Sequence, residues 1–242
     1  MNNQSTNMSE EKEIKVRILD NHSIDKIKKN IEELFNIKFE GGKQDNDVYY
    51  DLKDNYYFNL NHGLRIRNDE EIAYKVLFFI PKKRPNPWFV LEKEYKLPMS
   101  KQNLMHLFNV ANIDCDLKIP TIIDIHKLKE ILQRLKFVEK IKIDKIRWSA
   151  KNEIYKICVD SVNKLGLFVE IEVNDDNYLD KFRNKLPFQF KEIRHGYTDL
   201  YAKEVLKIKV PNFKENFLNN PDWNYLSGQK QLITQLLNNK IE

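Results

Sequence analysis

The sequence predicts an α+β protein built on a closed eight-stranded antiparallel β-barrel, with a polar charged lumen and a cover of helices. Three observations lead there. Seven or eight short segments alternate with the period of two that marks a strand. In nearly all of them one face is apolar and the other charged. The charged faces carry same-sign pairs (EE, RR, EE, KR, EE), which repel unless counter-ions sit between them. A closed sheet with the charges inside and the apolar faces under helices accommodates all three.

The elements follow in order. Residues 1–9 (MNNQSTNMS) are polar and read as a flexible arm. Alternation begins at Glu11, where Glu11, Glu13, Lys15 and Arg17 oppose Ile14, Val16 and Ile18. Residues 23–36 have helical spacing at Ile24, Ile27, Ile31, Leu34 and Phe35, with Ser23 as N-cap. Strands are expected over 47–51, 63–67, 72–78 and 88–97, with a Pro-rich turn or loop at 80–87. Among them Arg65 and Arg67 oppose Leu64 and Ile66. Lys75 opposes Tyr74 and Val76, and Glu92 and Glu94 oppose Leu91 and Tyr95.

Two helical segments, 100–112 and 124–136, are split by Pro120. Strands at 138–148, 153–160 and 166–173 come next. Lys145 and Arg147 oppose Ile146 and Trp148, Lys156 and Asp160 oppose Ile157 and Val159, and Glu170 and Glu172 oppose Val169 and Ile171. A helix is expected over 177–186. The organisation is an arm (1–9), one barrel domain (10–210) with a helical elaboration at 98–137, and a helical tail (211–242).

Bulk properties narrow the function. With 41 basic and 36 acidic residues the net charge is +5, too balanced for a histone-like nucleic-acid binder. The basic runs at 26–29 and 81–85 are short and lack aromatic interleaving, so nucleic acid is an unlikely partner except as an RNA 5′ end. Cys115 and Cys158 are the only cysteines, outside any CxxC, and the five histidines are scattered, which argues against zinc. No apolar run approaches the length of a membrane span, so a soluble cytoplasmic protein without a membrane partner is expected. A lumen of carboxylates and cations suits a divalent metal together with a polyanion. Mg²⁺ takes few carboxylates plus phosphate and water, and Arg and Lys bond phosphate oxygens.

An ordered set of motifs then resembles one family. Glu11-Lys12-Glu13-Ile14-Lys15 resembles the ExExK signature of the CYTH superfamily, the triphosphate tunnel metalloenzymes. QDNDVYYD (44–51), HGLRIR (62–67), Tyr74-Lys75, LEKEY (91–95), DKIR (144–147), VDSVNKLGLFVEIEV (159–173) and GYTDLY (196–201) resemble its later segments in the same order. The helices of 98–137 and the tail after 210 have no matching counterpart and read as packing.

The resemblance implies roles. Glu11, Glu13, Glu94, Asp160, Glu170 and Glu172 would hold Mg²⁺ or Mn²⁺, with Glu92 assisting. Lys15, Arg17, Arg65, Arg67, Lys75, Lys145, Arg147 and Lys203 would bind a triphosphate compound, and Glu11, Glu13, Lys15 and Lys75 would be the catalytic core. The activity implied first is metal-dependent hydrolysis of inorganic or organic triphosphate. The alternatives are a class IV adenylate cyclase, an RNA 5′-triphosphatase or a non-catalytic polyphosphate or nucleotide sensor, with a homodimer possible. Thiamine triphosphatases of the family place Trp where this chain has Gly63, so no preference for the thiamine compound is expected. Trp148 is expected on the outer face, and Trp88 on the face of Glu92.

Overall fold

A computed structural model describes residues 9–79, 88–173, 175, 177–193 and 196–210. The expected arm up to residue 8, the turn at 80–87 and the tail from 211 lie outside the described residues, as do the side chains of Glu11 and Trp88.

Strand β1 (Ser9–Ile18) is followed by helix α1 (Ile24–Phe35), strand β2 (Lys43–Asp51) and the single turn α2 (Tyr56–Asn59). Strands β3 (His62–Arg67), β4 (Glu71–Phe79) and β5 (Trp88–Lys96) come next. Short strands β6 (Met99–Ser100) and β7 (Ile122–Ile123) flank helix α3 (Lys101–Val110), and α4 (Ile125–Arg134) follows. The chain continues through β8 (Val138–Lys151), β9 (Tyr155–Val162), β10 (Gly166–Val173), α5 (Asn177–Arg183), β11 (Phe190–Ile193) and α6 (Tyr197–Glu204).

Local chemistry sets the helix starts. The side chains of Ser23, Ser100 and Asp124 each accept a hydrogen bond from a first-turn backbone N–H of α1, α3 and α4. Asp51 does more. It accepts from the N–H groups of Leu52, Tyr57 and Phe58 at 2.7, 3.0 and 2.8 Å, and so fixes α2 against the end of β2.

The main sheet is antiparallel and nine-stranded, in the order β10-β9-β8-β2-β3-β4-β5-β1-β11. This corrects the expected closed eight-stranded barrel. The sheet curls enough for β1 to pair with β10 over Lys12–Arg17. Yet among the described residues β1 meets β5 only at Ser9–Glu11, and over Lys15–Ile18 it pairs with β11 instead. The ninth strand, which alternation in a four-residue segment is too short to reveal, thus ends the sheet as an edge.

The convex face carries the apolar alternation. Ile14, Val16 and Ile18 of β1, with Ile157, Val159 and Ile171, are buried beneath Ile27, Ile31 and Phe35 of α1 and Phe182 of α5. Leu64, Ile66, Ile72 and Tyr74 are buried beneath α3 and α4 through Leu104, Leu107, Phe108, Leu128 and Leu132. The 98–137 segment is therefore packing that covers β3 and β4. Trp148 joins the α1 side, as expected, and lies so close over Gly42 that a Cβ there would stand 2.7 Å from its indole nitrogen.

The concave face is charged at its centre and apolar at one end. On β8, Ile141 and Ile143 share the face of Lys145 and Arg147. Leu200 and Ala202 of α6 pack there with Phe168, whose ring meets Tyr197 edge-on at 5.0 Å. Helix α6 therefore fills one end of the concavity as a plug.

Candidate active site

A cavity of about 360 Å³ lies on the concave face. Its position follows from strand parity. Glu13 and Lys15 of β1, Asp47 of β2, Arg65 and Arg67 of β3, Lys75 of β4, Glu92 and Glu94 of β5, Lys145 and Arg147 of β8, and Glu170 and Glu172 of β10 all line it.

The wall formed by β8, β9 and β10 with β1 is a closed ionic network. Lys15 Nζ stands 3.0 Å from Glu170, and Arg147 bonds both Glu170 and Asp160. Lys145 lies 3.2 Å from Asp160, and the Tyr197 hydroxyl donates to Asp160 at 2.9 Å. Burial penalises the Glu170 carboxylate, but Lys15, Arg147 and Lys145 outweigh it and hold its pKa well below the usual range. Burial likewise opposes charge on Lys15, yet Glu170 and Glu13 hold its pKa above the ordinary value. Lys145 goes the other way, pushed down by burial and by Arg147 beside it. Lys15 and Lys145 both lie over the Tyr197 ring, at 4.5 and 5.3 Å from its centroid.

The opposite wall, β2 to β5, is arranged differently. One nitrogen of Arg65, Nη2, donates to Glu71, Glu92 and Glu94, each at 3.2 Å. Arg65 Nε is buried without a hydrogen-bond partner among the described residues, since Asp47 at 3.8 Å is within ion-pair range but too far for a bond. Arg67 forks onto both oxygens of Asp47 at 2.7 and 3.0 Å. Lys75 bonds Glu92 at 3.3 Å. Burial, then Glu92 and Glu71, push the Glu94 carboxyl up to about 7.

Three residues expected at the site are placed elsewhere. Arg17 has the right parity but sits at the level of the plug, where Glu204 of α6 takes it at 2.7 Å and the carbonyl of Leu165 takes its other nitrogen. Lys203 is exposed on α6 and does not line the cavity. Asp160 lies wholly buried beneath Lys145, Arg147 and Tyr197, where its oxygens are already bonded. It positions cations rather than facing the cavity.

Sequence reasoning also missed residues. Asp47 and Tyr49 line the cavity, and Asp45 lies buried within 3.9 Å of Lys145. The signal was present, because Asp45, Asp47 and Tyr49 alternate on one face of β2. Tyr197 and Asp199 arrive on α6, and no strand pattern could have placed them.

The cavity's acidic donors are carboxylate oxygens, the ligand type that hard divalent cations take. Among the described residues, seven Lys and Arg side chains line the cavity: Lys15, Arg65, Arg67, Lys75, Lys145, Arg147 and Lys156. Nine described carboxylates line it with them: Glu13, Asp47, Glu71, Glu92, Glu94, Glu170, Glu172, Glu192 and Asp199. Among these described residues the carboxylates outnumber the cations, a balance that repels a polyanion unless added cations enter with it. Among the described residues no three Asp, Glu, His or Cys side chains form a ready-made cluster. Glu13 and Glu172 stand directly opposite each other across β1 and β10, and two carboxylates completed by phosphate and water are a usual Mg²⁺ environment.

The model of the CYTH domain matches residues 9–203. The chain belongs to the CYTH family. A Methanocaldococcus jannaschii protein named "Putative adenylate cyclase MJ0240" is 27% identical over 202 residues, which is 82% of this CYTH chain and 98% of that protein. The solved structure of the PH1819 protein from Pyrococcus horikoshii has a TM-score of 0.53 at 22% identity, covering 81% of this chain and 98% of that one. That of "Putative adenylyl cyclase HpAC1" from Hippeastrum, described as revealing a dominant triphosphatase activity, has a TM-score of 0.50 at 12% identity. It covers 83% of this chain and 98% of that one. At those identities the two structures speak for the fold. Among the described residues no helix of this CYTH protein is long and apolar enough to cross a membrane.

Proposed function

We propose that this protein hydrolyses a triphosphate compound with Mg²⁺ or Mn²⁺, inside the concave cavity. The observation that carries the reading is a cavity ringed by cations in which, among the described residues, carboxylates nevertheless outnumber cations. Such a site suits a polyanion that arrives with metal ions. Arg65 Nε, buried and without a hydrogen-bond partner among the described residues, supports it, because a buried donor costs about 1–3 kcal/mol until something accepts from it.

The chain's own residues divide the work. Lys15, Lys145 and Arg147, fixed by Glu170 and Asp160, and Arg65, Arg67 and Lys75 on the facing wall, hold phosphate oxygens and neutralise charge that builds up during displacement at phosphorus. Glu13 and Glu172 would hold the metal, with Glu94 assisting. When bound, the metal neutralises phosphate charge and lowers the pKa of an attacking water. Water attacks the terminal phosphorus, the bridging P–O bond breaks, and orthophosphate and the shortened polyphosphate leave.

A second reading is conversion of ATP to cyclic AMP and pyrophosphate, favoured by the name of the Methanocaldococcus relative. Products separate the two. The purified protein is assayed with tripolyphosphate and with ATP, each with Mg²⁺ and with Mn²⁺. Orthophosphate release that chelation abolishes, and that Glu13→Gln largely removes from a folded protein, is expected. Cyclic AMP with pyrophosphate would establish the second reading. Binding without turnover under all four conditions would make the protein a sensor.

A further inference from the structure

The row of side chains that begins with Glu13 and Glu172 runs on across two more strands. Glu13 of β1 stands opposite Glu172 of β10, Glu172 opposite Lys156 of β9, and Lys156 opposite Lys151 of β8. Four neighbouring strands thus carry two carboxylates and then two lysines side by side. Within the row, Lys156 Nζ bonds both oxygens of Glu172, at 2.9 and 2.8 Å. Those are the oxygens that the proposed function gives to a metal ion.

We propose that Lys156 is an exchangeable cation at the metal site. It holds Glu172 in the metal-free protein, yields that carboxylate to a divalent cation, and then turns its ammonium to the polyanion. The proposal rests on the triphosphatase reading and adds to it a positioning residue.

Three observations carry it. The first is a contrast between the two carboxylates of β10. Lys15 and Glu170 are only 11% and 10% exposed, and Arg147 bonds Glu170 as well. Removing a cation from a buried carboxylate is costly. Lys156 and Glu172 are 51% and 23% exposed, and an ion pair so open to water is weakly held. Glu172 is therefore the carboxylate whose cation can be exchanged. The second observation is that Lys156 itself lines the cavity, so the released ammonium stays where phosphate oxygens would lie. The third is Lys151. Like charges directly opposite each other on neighbouring strands repel, and Glu172 compensates that repulsion for Lys156. Once Lys156 gives Glu172 up, it loses that compensation beside Lys151, and a phosphate oxygen restores it. The exchange thus favours a divalent cation and a polyanion that arrive together.

The test reads Mn²⁺ binding from the electron paramagnetic resonance signal of the free ion, with the full-length protein and no polyanion. Both lysines are exposed, so the fold tolerates their replacement. Lys156→Met is expected to tighten Mn²⁺ binding about threefold, within the strength of an exposed ion pair. Lys156→Arg keeps the charge and can fork onto the carboxylate, so it should bind Mn²⁺ no more tightly than wild type. Lys151→Met removes the same charge one strand further from Glu172 and should act less than Lys156→Met. At saturating Mn²⁺, Lys156→Met should raise the KM for tripolyphosphate, also about threefold. Tighter metal binding with weaker polyanion binding in one variant is a pattern that lost packing does not produce. Unchanged or weaker Mn²⁺ binding by Lys156→Met, equal tightening by Lys151→Met, or an unchanged KM overturns the proposal, while tripolyphosphate hydrolysis by wild type leaves the triphosphatase reading standing. If wild type neither binds Mn²⁺ nor hydrolyses tripolyphosphate, both fall.

Discussion

The two walls of the cavity are built from the same residue types and behave oppositely. On the β8–β10 wall each buried carboxylate meets more than one donor. Asp160 has Lys145, Arg147 and Tyr197, and Glu170 has Lys15 and Arg147. On the β3–β5 wall one guanidinium nitrogen is shared by three carboxylates, and one of them, Glu94, is pushed up to about 7. The buried carboxylates of the first wall, Asp160 and Glu170, are fully paired within the protein, whereas on the second wall the sharing of Arg65 leaves Glu94 the carboxyl that gains most from a proton or an added cation. Each wall contributes cations to the cavity, but only the first holds its buried carboxylates in a saturated network.

The largest effect should come from the first wall. Asp160→Ala leaves Lys145 and Arg147 buried without their shared partner, and breaking such a network costs roughly 3–5 kcal/mol. Urea unfolding reads the loss, and a variant as stable as wild type would show the network to be dispensable. Next comes Arg65→Ala on the opposite wall. It should weaken triphosphate binding by roughly 1.5–3 kcal/mol, the range for hydrogen bonds to charged groups. KM or a direct Kd checks it, and unchanged binding would place Arg65 in a purely structural role.

A pH effect sharpens the comparison further. Folded Glu94 keeps its proton until about pH 7, whereas unfolded Glu releases it near 4.5. Between those values the folded state holds more protons, so Glu94 makes stability fall as pH rises. Glu94→Gln removes that fall, and in metal-free protein the drop in Tm from pH 5 to pH 8 should shrink. Glu170→Gln, on the other wall, should act with the reverse sign and at lower pH, below about 4.5, with little effect between pH 5 and pH 8. Its depressed pKa contributes stability above the ordinary carboxylate pKa that is lost on acidification. The smallest effect is expected from Arg17→Ala at the plug. A half-exposed ion pair with Glu204 contributes about 0.2–1 kcal/mol, and KM should not move.

The sequence by itself determined the strand faces. Alternation placed Glu13, Lys15, Arg65, Arg67, Lys75, Lys145, Arg147, Glu170 and Glu172 on the side where the cavity lies, because side chains two apart in a strand must share a face. It also set the helices over 24–35, 101–110 and 125–134, whose apolar stripes and caps are local properties. Depth along the concavity is not local. Arg17 and Lys15 share a face, yet one meets Glu204 of the plug and the other Glu170 of the cavity, and only the packing of α6 decides which. The same holds for Asp160, whose parity is that of the site but whose burial depends on Tyr197 arriving from 37 residues away. The edge formed by β11, and with it the departure from a closed barrel, was likewise decided by tertiary pairing. Four residues carry too few alternations to announce a strand, and they become one because β1 offers unpaired backbone groups that must be satisfied.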